Sequence, residues 1–395
     1  MPPFLLLKSL LKDSSISALV AGFVTVLVGF TSSAVLVFQA AQSFNATPAQ
    51  TGSWLWALGI GIGLSGMLLS LYYKIPVATA WSTPGAAILI AGANGFNIHQ
   101  AVGAFLLAGV LIAIAGFSGW FERVLKHIPV SLAAAMLAGI LLQFGLNVFT
   151  ALQSNPTLVL SMLLVYLLAK RLLPRYAILL ALLVGIVISL MQGELHSTQV
   201  SLQLTLPVWI SPQWSVQSII SLALPLFVVT MASQNLPGIA MIQAAGYRSP
   251  TSSVVGWTGA TTTLLAPFGA FAINLAAISA AISLGPEAHA NPARRYVAAV
   301  SAGLFYLLIG LFGATVATLF LAFPKALIAA IAGLALFGTI ASSLSNALAI
   351  DREREAALIT FLVTASGLSL AGIGSAFWGL VAGIVSLLIL NTGKR

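Results

Sequence analysis

Ile75-Pro-Val-Ala-Thr-Ala-Trp-Ser-Thr-Pro-Gly-Ala-Ala-Ile-Leu-Ile-Ala-Gly92 is apolar enough to lie in a membrane, yet its middle does not read as one continuous helix. Pro84 disfavours helical backbone at Thr83, and Thr83 suits an N-cap with Pro84 in the first helical position. The stretch is predicted as an extended run followed by a half-helix that starts in mid-membrane. About six or seven extended residues after Lys74 rise ~20 Å, and about ten helical residues add ~15 Å, enough for an apolar layer of ~30 Å. Pro267-Phe-Gly-Ala-Phe-Ala-Ile273 reads as the same plan entered from the other side, with Asn274 as candidate N-cap of a half-helix over 275–284. Extended backbone at that depth must be buried in protein or line a cavity. Two facing helix N-termini would offer free N–H groups and partial positive charge, which is an anion site. The alternative is that Pro84 only kinks a helix and Asn274 is a satisfied core amide.

The 395-residue chain is 59% hydrophobic and 6% charged, against ~25% charged in soluble domains. That excludes a soluble enzyme and a disordered chain and leaves a polytopic membrane protein. Cysteine is absent, so disulfides, thiolate metal sites and cysteine nucleophiles are excluded. Apolar runs fall near 16–42, 54–73, 75–93, 100–121, 128–149, 157–169, 176–192, 216–236, 252–267, 268–284, 296–322, 325–344, 355–371 and 373–391, which predicts fourteen transmembrane segments. With the N-terminus inside, 15 of the 16 Lys and Arg residues, from Lys8 to Arg395, fall in inside loops and Lys325 alone falls outside. This obeys the positive-inside rule. The net charge of +9 is read as topogenic and not as a nucleic-acid footprint. The first run is too long for a signal-peptide core and is kept as a span. Trp54, Trp56, Trp209, Trp214 and Trp378 sit near predicted outer ends and Trp120 near an inner end, whereas Trp81 lies well inside segment 3.

At an offset of 194, Ala108-Gly109 falls on Ala302-Gly303, Gly116 on Gly310, Gly119 on Gly313, and Ala138-Gly139 on Ala332-Gly333. Seven crossings separate the copies, so two seven-segment halves have opposite orientation, as in many secondary transporters. All seven acids lie in tails, loops or segment ends, which disfavours a cation transporter. Polar residues at mid-span are Thr31, Ser32, Ser33 and Gln39 in segment 1, and Thr230, Ser233, Gln234 and Asn235 in segment 8. Gln39, Gln234 and Asn235 are candidates to line the site because a buried amide needs a partner. Trp81 is a candidate ring contact or core filler. Gly61-Ile-Gly-Leu-Ser-Gly66 matches GxGxxG inside an apolar span, where it means close helix packing and not nucleotide binding. No phosphate-binding loop is present, the four histidines are scattered, and no metal or cofactor is expected.

Leu19-Val-Ala-Gly-Phe23, Ser32-Ser-Ala34, Phe38-Gln-Ala-Ala41, Ala80-Trp-Ser-Thr-Pro-Gly-Ala-Ala87, Ser131-Leu-Ala-Ala-Ala-Met-Leu-Ala-Gly-Ile-Leu141 and Leu224-Pro-Leu-Phe-Val-Val-Thr-Met-Ala-Ser-Gln-Asn235 carry a resemblance. Pro286-Glu-Ala-His289, Arg352-Glu-Arg354 and Gly374-Ser-Ala-Phe-Trp-Gly379 add to it. The chain resembles the benzoate/proton symporter family (BenE type), similar in fold to uracil and nucleobase permeases and to sulfate permeases. The resemblance implies an all-α membrane protein with segments 3 and 10 each a short strand plus half-helix. It implies a core domain from 16–122 and 216–322 and a gate domain from 123–192 and 323–391. A tail 1–15, an extracytoplasmic linker 193–215 and a tail 392–395 complete the chain. It also implies core-against-gate transport in a bacterial inner membrane with both termini cytoplasmic, often as a homodimer. Where nucleobase permeases carry acids, this chain offers Ser233-Gln-Asn235 and Gly269 to Asn274, which disfavours a nucleobase. The absence of a soluble domain after Arg395 is read as disfavouring the sulfate branch.

The expected function is therefore import of an aromatic carboxylate, benzoate, with protons, and not enzymatic catalysis. Its carboxylate is expected between Thr83-Gly85 and Asn274, with Gln39, Ser82, Ser233, Gln234 and Asn235 as polar neighbours. Gly269, Ala270 and Phe271 are expected to supply backbone, and Trp81 a ring. Glu287 and His289 are candidate proton carriers. The rivals are a neutral-solute permease of the same fold and an anion channel.

Overall fold

The computed structural model describes residues 10, 12–119, 129–195, 202–248, 250–276, 279–286, 288–371 and 373–391. In chain order its main elements are α1 Ile16–Ser43, α2 Pro48–Tyr73, β1 Thr79–Trp81, α3 Thr83–Gly92, α4 Ile98–Phe117, α5 Val130–Ser154, α6 Pro156–Leu172 and α7 Ala177–Met191. The second half comprises α8 Val216–Ala244, α9 Thr251–Leu265, β2 Ile273–Leu275, α10 Ala280–Leu284, α11 Tyr296–Leu311, α12 Gly313–Ala322, α13 Lys325–Ala347, α14 Arg354–Ala365 and α15 Ser375–Asn391. Six helices (α2, α4, α5, α8, α13 and the run Pro292–Leu311 that contains α11) are long and apolar enough to cross a membrane, and α1, bent by 41°, makes a seventh. The run 296–322, predicted as one crossing, parts at Phe312 into α11 and α12. Large side chains such as Leu168, Val187, Leu264 and Leu388 lie exposed on the outside, as lipid-facing residues do.

Local chemistry explains the boundaries. Thr47 with Gln50 and Asn97 with Gln100 form reciprocal capping boxes at the starts of α2 and α4. Helix α8 is interrupted by π-helical turns at Ile219–Ala223 and Met231–Asn235. Each turn lies just before a proline, Pro225 or Pro237, whose ring clashes with the carbonyl four residues back and removes a hydrogen bond. The wider turn absorbs that misfit without ending the helix.

The two interrupted segments meet as an antiparallel ribbon, Thr79 against Leu275, Ala80 against Asn274 and Trp81 against Ile273. Backbone bonds Ser82 N–H to Ala272 O (3.1 Å) and Ala276 N–H to Ala78 O (2.9 Å) extend it. No water is at hand in an apolar layer, so the outer edges need side-chain partners. Ile273 N–H donates to Thr262 Oγ1 (2.9 Å), Leu275 N–H to Asn235 Oδ1 (3.0 Å), and Val77 N–H to Ser70 Oγ (3.0 Å).

Two expectations are corrected here. The cap of α3 is Ser82, whose Oγ accepts from Gly85 N–H at 3.0 Å, so Thr83 is the first helical residue. Asn274 caps nothing. It sits fully buried in β2, and the helix that follows begins only at Ala280 and is five residues long. The hydrogen bonds that Thr262 and Asn235 accept from the Ile273 and Leu275 N–H groups hold residues 273–275 extended and push the helix start downstream.

Helix α2 packs on α11 and α4 on α9, while α1 lies along α11. Helices α5 and α13 pack together, with α14 and α15 beside α5 and α6 against α7. The first two contacts are backbone to backbone. A Cβ on Gly59 would lie 2.6 Å from the Cα of Gly310, and one on Gly116 would overlap the backbone of Gly256. Residues 202–215, without regular secondary structure, form a strap tied near the ends of α2, α4, α9 and α11 by bonds that include Val208 N–H to Ser53 Oγ, Gln213 N–H to His99 O, Ile210 N–H to Pro267 O and Thr205 N–H to Leu311 O. Under it Trp54, expected in an outer aromatic belt, is fully buried against Phe105 and Phe271.

Candidate functional site

A cavity of about 400 Å³ opens where the ribbon meets α1, α6, α7, α8, α11 and α13. Segment 3 contributes Trp81, Thr83 and Pro84, and α8 contributes Gln234. Ser279, Ala281 and Ile282 approach from the second half, Thr31 and Ser33 from α1, Tyr306 from α11, Tyr166 and Lys170 from α6, and Thr339 from α13. Its volume falls in the range of small-molecule sites.

Trp81 is 3% exposed. Its indole N–H donates to Ser33 Oγ at 2.9 Å, and its ring meets Phe30 and Tyr306 edge-on at 5.8 and 6.1 Å. The ring is therefore a fixed wall. The N-terminus of α3 offers less than two facing helix ends would. Gly85 N–H is taken by Ser82 and Ala86 N–H by Ser82 O, and Pro84 has none. What the cavity presents instead is side-chain donors, namely the hydroxyls of Thr83, Ser279, Tyr306 and Thr339, the Gln234 amide and the Lys170 ammonium. Among the described residues no carboxylate lines it. Aromatic and aliphatic walls with convergent donors and no acid suit a flat apolar body bearing an acceptor group.

Of the residues expected at the site, the cavity gathers Trp81, Thr83 and Gln234. Ser82 and Gly85 are spent on the cap. Asn235 is fully buried, with Oδ1 on Leu275 N–H and Nδ2 directed to Met231 Sδ at 3.2 Å, and it holds the ribbon. Ser233 bonds back to Val229 O at 2.7 Å. Gly269, at φ 101°, turns the chain under the Trp54 ring, and Ala270 and Phe271 are fully buried core. Asn274 donates from Nδ2 to Ala272 O at 2.8 Å, and its buried Oδ1 has no partner among the described residues. His289 accepts from Asn291 N–H at 2.9 Å in a turn and does not line the cavity, and Glu287 lies outside the described residues.

Gln39 lines a different cavity, of about 440 Å³, with Gln42, Ser43, Gln143 and Asn147. Helix α3 separates the two, its first turn (Thr83, Pro84) on one and its last (Ile90, Ala91) on the other. Sequence reasoning missed Tyr306, Ser279 and Lys170. Tyr306 is a hydroxyl inside an apolar run, and Ser279 is the polar residue that directly precedes the true start of α10, so both had a signal. The charge of Lys170 was absorbed by the loop count.

Residues 12–389 match the family model described as benzoate membrane transport protein. The chain is 50% identical over 373 residues to inner membrane protein YdcO of Escherichia coli (strain K12), covering 94% of this chain and 95% of that one. It is 41% identical over 389 residues to the benzoate membrane transport protein of Acinetobacter baylyi (strain ATCC 33305 / BD413 / ADP1), covering 98% and 99%. Its fold is similar to the transmembrane domain of a cyanobacterium bicarbonate transporter, BicA, with TM-score 0.58, 14% identity and coverage of 93% and 97%. It is also similar to SLC26A9, with TM-score 0.60, 14% identity and 96% of this chain on 66% of that one. Murine Slc26a9, an anion transporter in the inward-facing state, matches with TM-score 0.57, 15% identity and coverage of 96% and 68%. These solved folds are SLC26 proteins and a bicarbonate transporter, and the uracil-permease likeness expected from sequence rests on none of them. The chain belongs to the benzoate membrane transport family and is a multi-pass membrane transporter.

Proposed function

We propose that this member of the family carries benzoate, or an aromatic carboxylate of similar shape, together with protons. The observation that carries the reading is the donor-rich cavity walled by Trp81 and Tyr306 at the crossing of the interrupted segments, lined by no acid among the described residues. The ring would lie against the aromatic wall, and the carboxylate would accept from Thr83, Gln234 and Ser279. The name of the Acinetobacter relative supports the substrate, and the anion transporter among similar folds supports an anion.

The same proposal includes fourteen segments in two inverted halves. Exchanging the halves turns the α2–α11 contact into the α9–α4 contact, and the ribbon and the α5–α13 contact into themselves, which supports it. The units 16–122 with 216–322 would move as a core against a gate of 123–192 with 323–391. Both termini are placed on the cytoplasmic side of a bacterial inner membrane, and a homodimer is the assembly we favour. The test is uptake of labelled benzoate into proteoliposomes. Accumulation against a gradient, driven by a pH step and insensitive to uracil and xanthine, is expected. Passive flux alone would make the protein a channel, and competition by nucleobases without benzoate uptake would make it a nucleobase permease.

A further inference from the structure

Lys170 stands in the last turn of α6 and lines the cavity that holds Thr83 and Gln234. Among the described residues it is the sole charged side chain lining either large cavity, and it makes no ion pair. Its neighbour Arg171 shares the same helix end and does not line the cavity. A lysine that served only to anchor the helix end would need no place on the cavity wall. Lys170 is an exposed residue of the lining, whereas Tyr306 and Ser279 are buried ones, which sets Lys170 at the edge of the cavity. A fixed positive charge beside a low-dielectric opening attracts anions and repels cations over roughly a Debye length of ~8–10 Å.

We propose that Lys170 is the charge-selecting residue at the mouth of this cavity: it contacts the carboxylate there and sets the preference for a carboxylate over its neutral amide. The inference rests on the functional reading above and deepens it. The ammonium supplies up to three donors, and a charge-assisted hydrogen bond in a partly desolvated opening is worth about a tenfold change in affinity or more.

The test uses full-length protein in proteoliposomes, with labelled benzoate for uptake and benzoate and benzamide as binding probes. For Lys170→Gln the KM for benzoate is expected to rise about tenfold with the maximal rate nearly kept. The preference for benzoate over benzamide should collapse, and the weakening of benzoate binding by added salt should flatten. Lys170→Arg should restore affinity to within about threefold, and Arg171→Gln should behave as wild type. Equal benzoate affinity and unchanged benzoate/benzamide preference in Lys170→Gln would overturn the assignment. So would an identical loss in Arg171→Gln, which would mark a topological role. If wild-type protein binds no benzoate, the substrate reading fails before the lysine is tested.

Discussion

Replacing Asn235 by alanine separates a residue that builds the site from one that touches the substrate. Its Oδ1 accepts the Leu275 N–H at 3.0 Å, and the residue is completely buried. Alanine removes the acceptor and leaves that N–H in an apolar layer with no water to take it. A buried donor left unpaired costs about 1–3 kcal/mol. A working figure of about 2 kcal/mol is a factor of about 30 in the ratio of folded to unfolded protein. Thermal unfolding followed by fluorescence-detected gel filtration in detergent should show a melting midpoint lower by several degrees. Benzoate affinity of the remaining folded protein, measured well below that midpoint, should stay within about threefold of wild type. A variant that melts like wild type but has lost benzoate binding would refute the structural role and return Asn235 to the substrate.

The adjacent Gln234→Ala should do the reverse, weakening benzoate about three- to tenfold for one lost hydrogen bond while leaving the melting midpoint in place. Gly269→Ala should sharply reduce folded yield, because φ 101° disfavours any side chain and its Cβ would overlap the Trp54 ring; normal yield and melting would contradict this. The natural absence of cysteine allows Gln143→Cys and Thr339→Cys to be read without background. A membrane-impermeant maleimide should modify them from opposite sides of the membrane, and labelling of both from one side would dismiss α3 as the partition between the two cavities.

Segment 3 was legible because its punctuation is local. Pro84 with a hydroxyl residue before it marks a helix start whatever surrounds it, and the error was one residue, Ser82 for Thr83. Segment 10 was legible only in outline. Asn274 is as good a cap by propensity as Ser279, and what keeps it in a strand is the pair of acceptors on α8 and α9, Asn235 and Thr262, which no local rule joins to it. The site shows the same division. Trp81 and Thr83, named from the break in segment 3, and Gln234, named from polarity at depth, do line one cavity, whereas Gln39 has the same amide and faces another. Which side of α1 meets which space is decided by tertiary packing. Lys170 was hidden because one charge can serve both orientation and selection, and the loop count explains it before the cavity is known.

The ribbon has a corollary for the order of assembly. An antiparallel pair centred on Ala80 and Asn274 maps onto itself by a half-turn, and each half of the chain donates one strand to it. Either strand alone would hold unpaired backbone in a solvent that forgives none, so neither interrupted stretch can settle in the bilayer until the other has arrived beside it.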